Sequence, residues 1–422
     1  MLFCAFLWLY ALSIMRVIRV SIAILFIAIC VLLIQLTARI GFSRLLTRYA
    51  LATNSISAAD EAVHLSPSDP EAHQARAAVL NRLRMPAEAV KSLETATRLR
   101  YRDDYLWLEL GNTREELGDT QGALAALNQA VRWAPYYAHT HWQRGNLLLR
   151  MGRTAEAFAE LRQAVATNHN YLPNLIDLAW SISRENVATA EQLIGIKDDK
   201  DRFAFIRFLA KKGKGTEALD QVRLLSTPLS QENRNELVHL LFTAKAFREA
   251  FDLWNTSLYI RIPALFNGGF EESTILNEPG FGGWVRSSEQ NKIKLAIDVT
   301  EKFGGAKSLQ VNFDGSWNPG SPLLSQTVLV EPAKTYPLSF TVKTKDLITG
   351  APLMITVNDA ATDQLLGKSE NLPSGTTSWV TLQFHFTTLA TSRAAVIRLQ
   401  RSNCDSSPCP IFGTLWLDEI HL

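Results

Sequence analysis

The stretch Asp104–Tyr137 reads DYLWLELGNTREELGDTQGALAALNQAVRWAPYY, and it decides the fold of the first half of the chain. Small residues and prolines recur in it and in its flanks at a spacing of 34 residues or twice that. The recurring positions are Ala89, Ala123 and Ala157; Ala96, Ala130 and Ala164; Gly111 and Gly145; Gly118 and Gly152; Pro67 and Pro135. Independent positions that share one period indicate a helical repeat array.

The residue types fit helix hairpins. Small side chains let two helices cross closely, and glycine at 118 and 152 favours a left-handed helix end. Pro135 stops the second helix of its pair. Trp107–Gly111, Gly118–Asp119 and the residues that follow them resemble the tetratricopeptide repeat family at nearly every position. The resemblance implies three clear repeats, at 70–103, 104–137 and 138–171.

A partial repeat precedes these three, and degenerate repeats follow them. Ala62, Leu65 and Pro67 are in phase, so the first helix of that partial repeat would be the end of the apolar segment described below. Residues 172 to about 258 keep helix-hairpin positions at irregular spacing. We therefore expect a helical repeat domain over 39–260, because such arrays need atypical terminal units.

Family resemblance also implies a concave groove formed by the first helix of each repeat. The residues that would face this groove are Tyr105, Asn112, His139, Trp142, Asn146 and Arg150. The groove would bind a peptide or a partner protein. The alternative is that Tyr105 and Trp142 pack between neighbouring repeats.

One segment near the start is long enough to cross a bilayer. Val20–Ala38 contains no charged residue, and a helix of this length spans about 28 Å. Arginines flank it on both sides, so the positive-inside rule leaves its orientation open. Residues 1–19 form a shorter apolar and basic segment, of which the first 14 residues are either interfacial or upstream of a start at Met15.

The cysteines favour one orientation. Cys404 and Cys409 lie in a polar loop that one disulfide can close, and disulfides persist in oxidising compartments. Two reduced thiols are the alternative. With the disulfide, the sequence predicts a single-pass protein of the inner (cytoplasmic) membrane, with the residues after 40 outside the cytoplasm, in the periplasm.

After Pro263 the helical period gives way to alternation and turn residues. We expect strands near 291–298, 306–313, 323–331, 336–344, 352–358, 378–388, 393–400 and 411–421. Such a series predicts a β-sandwich over 265–422. The complete fold class is thus multidomain: a transmembrane helix at 20–38, an all-α solenoid and an all-β jelly roll.

The sandwich carries a second family resemblance. Asn267–Glu271, Gly304–Val311 and Trp416–Ile420 resemble the carbohydrate-binding-module jelly roll that is appended to many xylanases and glucanases. The resemblance implies a structural calcium held by Glu271 and Asp418, since calcium prefers clustered oxygens. The alternative is that these two carboxylates hydrogen-bond the backbone.

Sugars bind such modules through aromatic rings flanked by amides and carboxylates. Trp284, Trp379 and Trp416 fall in framework motifs, which favours a core role for them. Trp317 lies in a turn-rich loop that offers no obvious core. The predicted glycan-contact residues are Trp317, Asp314, Asn318 and Gln326.

Charge and motifs exclude several functions. A net charge of +2 and the lack of a Lys/Arg run argue against nucleic-acid binding. The sequence has no nucleophile elbow, zinc-protease helix or phosphate loop, so we expect a protein that is not an enzyme and requires no cofactor. The favoured hypothesis is an envelope scaffold for polysaccharide assembly or export. The alternatives are a protein-binding assembly factor with a structural β domain, and an envelope glycoside hydrolase with an unrecognised site.

Overall fold

The computed structural model describes residues 2–258, 265–272, 280–287, 293–315, 317, 321–402, 404 and 409–422. The chain divides into two compact units, Met1–Ile196 and Lys197–Leu422. Asn318, one of the predicted glycan contacts, lies outside the described residues. Each unit is described separately.

The first unit is all-α, as predicted. Its helices are α1 (Leu2–Thr53), α2 (Ile56–Leu65), α3 (Pro70–Arg82), α4 (Pro86–Leu99), α5 (Asp104–Glu116), α6 (Thr120–Trp133), α7 (Ala138–Arg150), α8 (Thr154–Thr167), α9 (Leu172–Ile182) and α10 (Val187–Ile194). The pairs α3–α4, α5–α6 and α7–α8 coincide with the three predicted repeats. The predicted repeat array is therefore confirmed.

Helix α1 joins two different environments. Between Ile22 and Leu36 its large apolar side chains are exposed, and Ser21–Thr53 is long and apolar enough to be a candidate membrane span. Further along, Ser43 and Ala50 are fully buried, and the Ser43 hydroxyl donates to the Ala62 carbonyl at 2.8 Å. The predicted continuity between the apolar segment and the first array helix is confirmed, because α1 has no break.

The small residues of the period sit where helices touch. A Cβ added at Gly111 would lie 2.8 Å from Cγ of Leu127, and one at Gly145 equally close to Leu161. These distances are below ordinary van der Waals contact, so only glycine allows the two helices of each hairpin to pack this closely. Gly118 adopts the left-handed conformation expected at a helix end, with φ +80°.

A ring nitrogen holds each inter-repeat loop in place. His73 Nε2 bonds the Pro67 carbonyl at 2.9 Å, Trp107 Nε1 donates to the Tyr101 carbonyl at 2.8 Å, and His141 Nε2 bonds the Pro135 carbonyl at 2.9 Å. The three rings share one repeat position, as do the three carbonyls. The contact satisfies a loop carbonyl that no helix bonds, so the period fixes the loops as well as the helices.

The second unit begins with four helices that form two hairpins. They are α11 (Asp199–Lys211), α12 (Gly215–Arg223), α13 (Gln231–Thr243) and α14 (Phe247–Leu258). Together with α9–α10 they confirm the expectation of helix hairpins beyond residue 171. Within this unit the aromatic ring of Phe281 packs against those of Phe242, Phe251 and Trp254.

The rest of the second unit is a sandwich of two antiparallel sheets. Its strands are β1 (Val285–Arg286), β2 (Lys294–Asp298), β3 (Ser308–Asp314), β4 (Leu324–Leu329), β5 (Thr335–Thr349), β6 (Leu353–Asp359), β7 (Leu365–Lys368), β8 (Gly375–Thr387), β9 (Ala394–Arg401) and β10 (Ile411–His421). The sheet orders are β1-β4-β9-β6-β7 and β2-β3-β10-β5-β8. All eight predicted strands are confirmed; the short β1 and β7 were missed.

The core of the sandwich lies between the inward faces of the two sheets. Leu309, Val311 and Leu417 are fully buried there, and Val357 and Ile397 meet them from the other sheet. Every second residue of these strands points inward. The residues between them form the outer faces of the sheets.

The His141 contact predicts a pH dependence for the array. A hydrogen bond to the Glu160 carboxylate, 2.8 Å from Nδ1, raises the pKa of His141 although burial opposes the shift. A raised pKa means stability that is complete below the ordinary value and lost as pH rises through the folded value. We expect the free energy of unfolding of the array to fall by at most about 1 kcal/mol between about pH 6 and pH 8, since Glu160 also pairs with Arg144.

A histidine NMR titration of the full chain, with urea unfolding at each pH, measures both quantities. Glu160→Gln should abolish the upward shift and flatten the pH dependence. A wild-type array whose stability is constant over this range would contradict the assignment.

Candidate functional site

The structure does not place Trp317 where a sugar could reach it. The side chain is 5% exposed, one ring face stacks on Phe313 at 5.6 Å between centroids, and Arg401 lies over the ring at 5.9 Å. The indole N–H donates to the Ser321 carbonyl at 3.0 Å. The prediction that Trp317 contacts glycan is therefore wrong: the ring belongs to the core.

Gln326 is also unavailable to a ligand. It is 1% exposed; its amide oxygen accepts from the Phe266 N–H at 2.7 Å and its amide nitrogen donates to the Phe266 carbonyl at 2.8 Å. These two bonds pair the side chain with a loop backbone, so its predicted glycan contact is wrong. Asp314 is exposed at the end of β3, apart from the two buried residues.

A different surface has the chemistry expected of a sugar site. On the outer face of the second sheet, five side chains form a connected series that we name the sheet-face network: Asp298, Gln310, Asn312, Thr414 and Trp416. Thr414 donates to Asn312 at 2.9 Å, Asn312 to Gln310 at 2.9 Å, and Gln310 to Asp298 at 3.1 Å. The Trp416 indole N–H also donates to Asp298, at 2.9 Å.

Strand register explains why these residues meet. Trp416 on β10 pairs directly with Gln310 on β3 and Lys343 on β5, and Thr414 pairs with Asn312. Residues opposite each other in an antiparallel sheet point to the same face. The alternation of Gln310 and Asn312 with buried leucine, valine and phenylalanine is the sequence signal that could have identified this face.

An aromatic pair lies beside the network. Trp379 on β8 is half-buried and contacts the exposed ring of Phe303 at 6.0 Å between centroids. Glu301, two residues before Phe303, pairs with Lys343, whose ammonium lies 5.7 Å from the Trp416 ring centroid. The core assignment of Trp379 is wrong, whereas Trp284 and Trp416 are buried as predicted, at 1% and 6% exposure.

Asp298 is ionised under all ordinary conditions. Partial burial alone would raise its pKa, but hydrogen bonds from Trp416 and from the side chain and backbone of Thr300 outweigh it and lower the pKa to about 2. A carboxylate that accepts several hydrogen bonds stays charged. It fixes the indole of Trp416 and the amide of Gln310 in one orientation.

Glu271 and Asp418, the predicted calcium ligands, meet at one loop. Asp418 accepts from the N–H groups of Phe303 and Gly304 at 2.9 and 3.0 Å, and Glu271 accepts from Ala306 at 2.7 Å. Burial raises the pKa of Asp418. The backbone alternative describes these contacts, and within the described residues no three acidic, histidine or cysteine side chains form a metal cluster. Calcium binding by Glu271 and Asp418 stays a prediction.

In the repeat array, the predicted groove residues divide into two kinds. Trp142 stacks on Tyr171 at 4.8 Å and His139 lies 3.3 Å from the Tyr171 hydroxyl, so both contact the last residue of their own repeat. Arg150 pairs with Glu115 of the preceding repeat. Trp142 thus packs within the array, although its partner lies at the end of the same repeat and not in a neighbouring one.

The other predicted groove residues are accessible to a partner: Tyr105, Asn112 and Asn146. Tyr105 is 51% exposed. Asn112 and Asn146 occupy the same repeat position and are half-buried, and neither side chain makes a hydrogen bond within the described residues. Two aligned amides with unused donors and acceptors are suited to a peptide backbone.

The cysteine prediction is confirmed: Cys404 and Cys409 form a disulfide with Cα atoms 6.1 Å apart. Arg401, 1% exposed, donates to the carbonyl of Cys409 at 3.0 Å and to the Thr349 hydroxyl at 3.1 Å. Burial lowers the pKa of Arg401. The buried guanidinium therefore ties the disulfide-bonded loop to the end of β5.

Comparison with known proteins supports both halves of the fold. A family model for a carbohydrate binding domain matches residues 263–406, and one for the tetratricopeptide repeat matches 105–137. Residues 105–137 are thus a tetratricopeptide repeat within a larger array. The C-terminal sandwich is a jelly roll similar to the carbohydrate-binding modules, and neither matched family is a catalytic one.

Individual relatives are distant. The tRNA(Glu)-specific nuclease WapA of Bacillus subtilis subsp. natto (strain BEST195) is 27% identical over 147 residues, which are 33% of this chain and 6% of that protein. The chain thus spans only a small part of the curated relatives that it matches. Among solved structures, MamA from Desulfovibrio magneticus RS-1 is 15% identical, with 45% of this chain and 98% of that chain covered and a TM-score of 0.34. A CBM4 structure is 13% identical, with 37% and 96% covered and a TM-score of 0.28.

The hydrogen bonds around Asp298 give a test of the sheet-face network. In Trp416→Phe we expect the Asp298 pKa to rise from about 2 toward its ordinary value near 3.9, because a strong donor is lost. The stabilisation from a lowered carboxyl pKa is present above the ordinary value and is lost as pH falls toward 2.

Carboxyl-carbon NMR titration of Asp298 measures the change. Thr414→Val, which cuts the network at its other end, serves as the matched control and should move the Asp298 pKa less. An unchanged pKa in Trp416→Phe would show that the indole does not hold the carboxylate.

Proposed function

We propose that this protein is a membrane-anchored, non-catalytic scaffold of the cell envelope, whose sandwich binds polysaccharide while its repeat array binds a protein partner. The observation that carries the proposal is the sheet-face network with its neighbouring aromatic pair, in a domain that a carbohydrate-binding family model matches. The assembly or export of polysaccharide is the process that such a pair of modules would serve.

The chemistry of the network suits a sugar chain. Amide, hydroxyl and carboxylate groups stand in fixed positions on neighbouring strands, and hydroxyl-rich ligands need donors and acceptors of this kind. The rings of Trp379 and Phe303 offer apolar area for the C–H face of a pyranose. Lys345 is exposed next to Thr414 in the register and adds a positive charge, which would favour an acidic sugar.

The disulfide and helix α1 support an envelope location. Disulfides persist where the compartment is oxidising, and for a single-pass protein the Cys404–Cys409 disulfide supports a location outside the cytoplasm for the residues after α1. The exposed apolar side chains between Ile22 and Leu36 need a non-aqueous surrounding. We therefore propose the periplasmic side of the inner membrane for the two folded units.

Loss of Trp379 should weaken glycan binding. We expect the full chain in nanodiscs to bind polysaccharides on a glycan array and Trp379→Ala to bind about 5- to 30-fold more weakly, since a stacked sugar ring contributes on the order of 1–2 kcal/mol. Phe412→Ala is the matched control, because Phe412 is 48% exposed on β10 near Gly315.

Equal binding by wild type and Trp379→Ala would move the site elsewhere on the sandwich. No binding by the wild-type chain to any envelope polysaccharide would remove the glycan half of the proposal. The purely protein-binding assembly factor would then be the better function.

The proposed binding of a protein partner depends on the side-chain amides of Asn112 and Asn146. We expect the double variant Asn112→Ala and Asn146→Ala to lose most of the partner recovered by in-cell cross-linking of the full chain. Asn128→Ala, at an exposed asparagine on the neighbouring helix α6, should leave recovery unchanged. Recovery that is equal in all three proteins would show that the partner does not use this face.

A further inference from the structure

The direction of α1 determines which edge of the array is nearest to the membrane. Arg44 on α1 lies 3.6 Å from Asp69 at the start of α3, and Arg82 at the end of α3 donates to the Leu51 carbonyl at the end of α1 at 2.7 Å. The two helices therefore run parallel. The start of α3, and the loop before it, lie on the side from which α1 leaves the apolar segment.

The distance along α1 places this loop close to the bilayer surface. From Ala38, the last residue of the uncharged stretch, to Arg44 the helix rises about 9 Å. The polar headgroup layer extends on the order of 5–8 Å beyond the hydrocarbon core. The residues that contact Arg44 thus lie just beyond the outer boundary of that layer, within reach of it for a long side chain.

The next two inter-repeat loops continue from this point. Arg100 pairs with Glu71 at 3.4 Å, which joins the second loop to the first. Tyr101 packs edge-on against Trp133 at 5.7 Å, which joins the second loop to the third. We name the residues 66–70, 98–104 and 132–137 the loop edge.

The loop edge exposes aromatic rings. Tyr136 is 83% exposed, Tyr101 52% and Tyr137 46%. The two loops that carry these tyrosines are the ones whose carbonyls bond the ring nitrogens of Trp107 and His141. The corresponding loops on the opposite edge, at 83–85, 117–119 and 151–153, contain no aromatic residue. Exposed tyrosine and tryptophan are enriched where a protein meets lipid headgroups.

Two arginines of the loop edge, Arg102 and Arg132, lie against aromatic rings and can bind an anion. Arg102 lies over the rings of Tyr101 and Trp133 at 5.3 and 5.7 Å, and Arg132 lies over Trp133 at 5.4 Å. Neither takes part in an ion pair within the described residues. Of the acidic residues of the loop edge, Asp69 and Asp103 cap helices and pair with Arg44 and Arg100, which leaves Asp104.

We propose that the loop edge rests on the membrane that holds α1, with its aromatic rings in the headgroup layer and Arg102 and Arg132 against lipid phosphates of an anionic bilayer. Guanidinium groups bind phosphate through two parallel hydrogen bonds. The proposal rests on the membrane anchoring proposed above and holds for either orientation of α1. It makes the array lie at a fixed angle to the bilayer instead of swinging on a tether.

Fluorescence quenching in nanodiscs tests the contact with the full chain. Single probes are placed by Tyr136→Cys on the loop edge, Leu117→Cys on the opposite edge and Ile29→Cys on the apolar segment, each in a Cys4→Ser, Cys30→Ser background. Lipids with a nitroxide on the headgroup should quench the probe at 136 several-fold more than the probe at 117. Equal quenching at 136 and 117 would overturn the proposal.

The third probe separates this proposal from the anchoring on which it rests. Acyl-chain nitroxides should quench the probe at 29. If they do not, the anchoring is wrong; if they do while the probe at 136 is no more quenched than that at 117, only the loop-edge contact is wrong.

The charge component has its own comparison. With phosphatidylglycerol present, Arg102→Glu combined with Arg132→Glu should reduce headgroup quenching at 136 to the level seen in phosphatidylcholine alone. Arg84→Glu, on the opposite edge, should have no effect, and added salt should weaken the wild-type signal. Quenching that the double variant leaves unchanged would overturn the assignment of the two arginines to lipid phosphate.

Discussion

One uninterrupted helix has to satisfy two surroundings, and the architecture of the first unit follows from this constraint. The first part of α1 exposes a run of apolar side chains, whereas Ser43 and Ala50 further along it are fully buried in the array. The buried Ser43 hydroxyl satisfies the Ala62 carbonyl, so the helix cannot rotate about its axis without leaving a polar group unpaired. Because an α-helix without proline or a bulge is stiff, the direction of the apolar segment fixes the direction of the array.

Because equivalent contacts recur every 34 residues, each following helix hairpin keeps the same orientation relative to the one before it. Gly111 and Gly145 let successive hairpins pack at the same close distance. The ring nitrogens of His73, Trp107 and His141 hold successive loops, each by bonding the carbonyl at the same repeat position. A loop held by a ring nitrogen presents its own side chains to solvent at low entropic cost, which is how Tyr136 can stay exposed next to an ordered core. The residues that make the repeat regular are therefore also those that fix the loops from which Tyr101 and Tyr136 are exposed.

In the sandwich, the alternation of apolar and polar residues along a strand separates the residues that form the core from those on the outer face. The inward positions of β3 and β10 are leucine and valine, which leaves Gln310, Asn312, Thr414 and Trp416 on the outer face. Polar side chains on an exposed sheet face would ordinarily be mobile, but the charge of Asp298 orients two of them directly and the others in sequence. A preorganised face of this kind loses little entropy when it binds a ligand. The Asp298 carboxylate thus positions the side chains of Gln310 and Trp416.

Periodic features were predictable from sequence, and contacts between distant residues were not. The repeat boundaries, the disulfide and eight strands follow from spacing and alternation, both of which are local. Trp317 was assigned to a binding surface because its own loop offers no core, yet the residue that covers it, Arg401, is 84 positions away. Gln326 is likewise paired with a backbone 60 positions away. Trp379 shows the reverse error, since a framework motif suggests burial while its position at a strand irregularity between β5 and β8 leaves the ring half-exposed. An aromatic residue therefore reports a binding site only when the sheet face it occupies is known, and that face is set by register with strands far away in the chain.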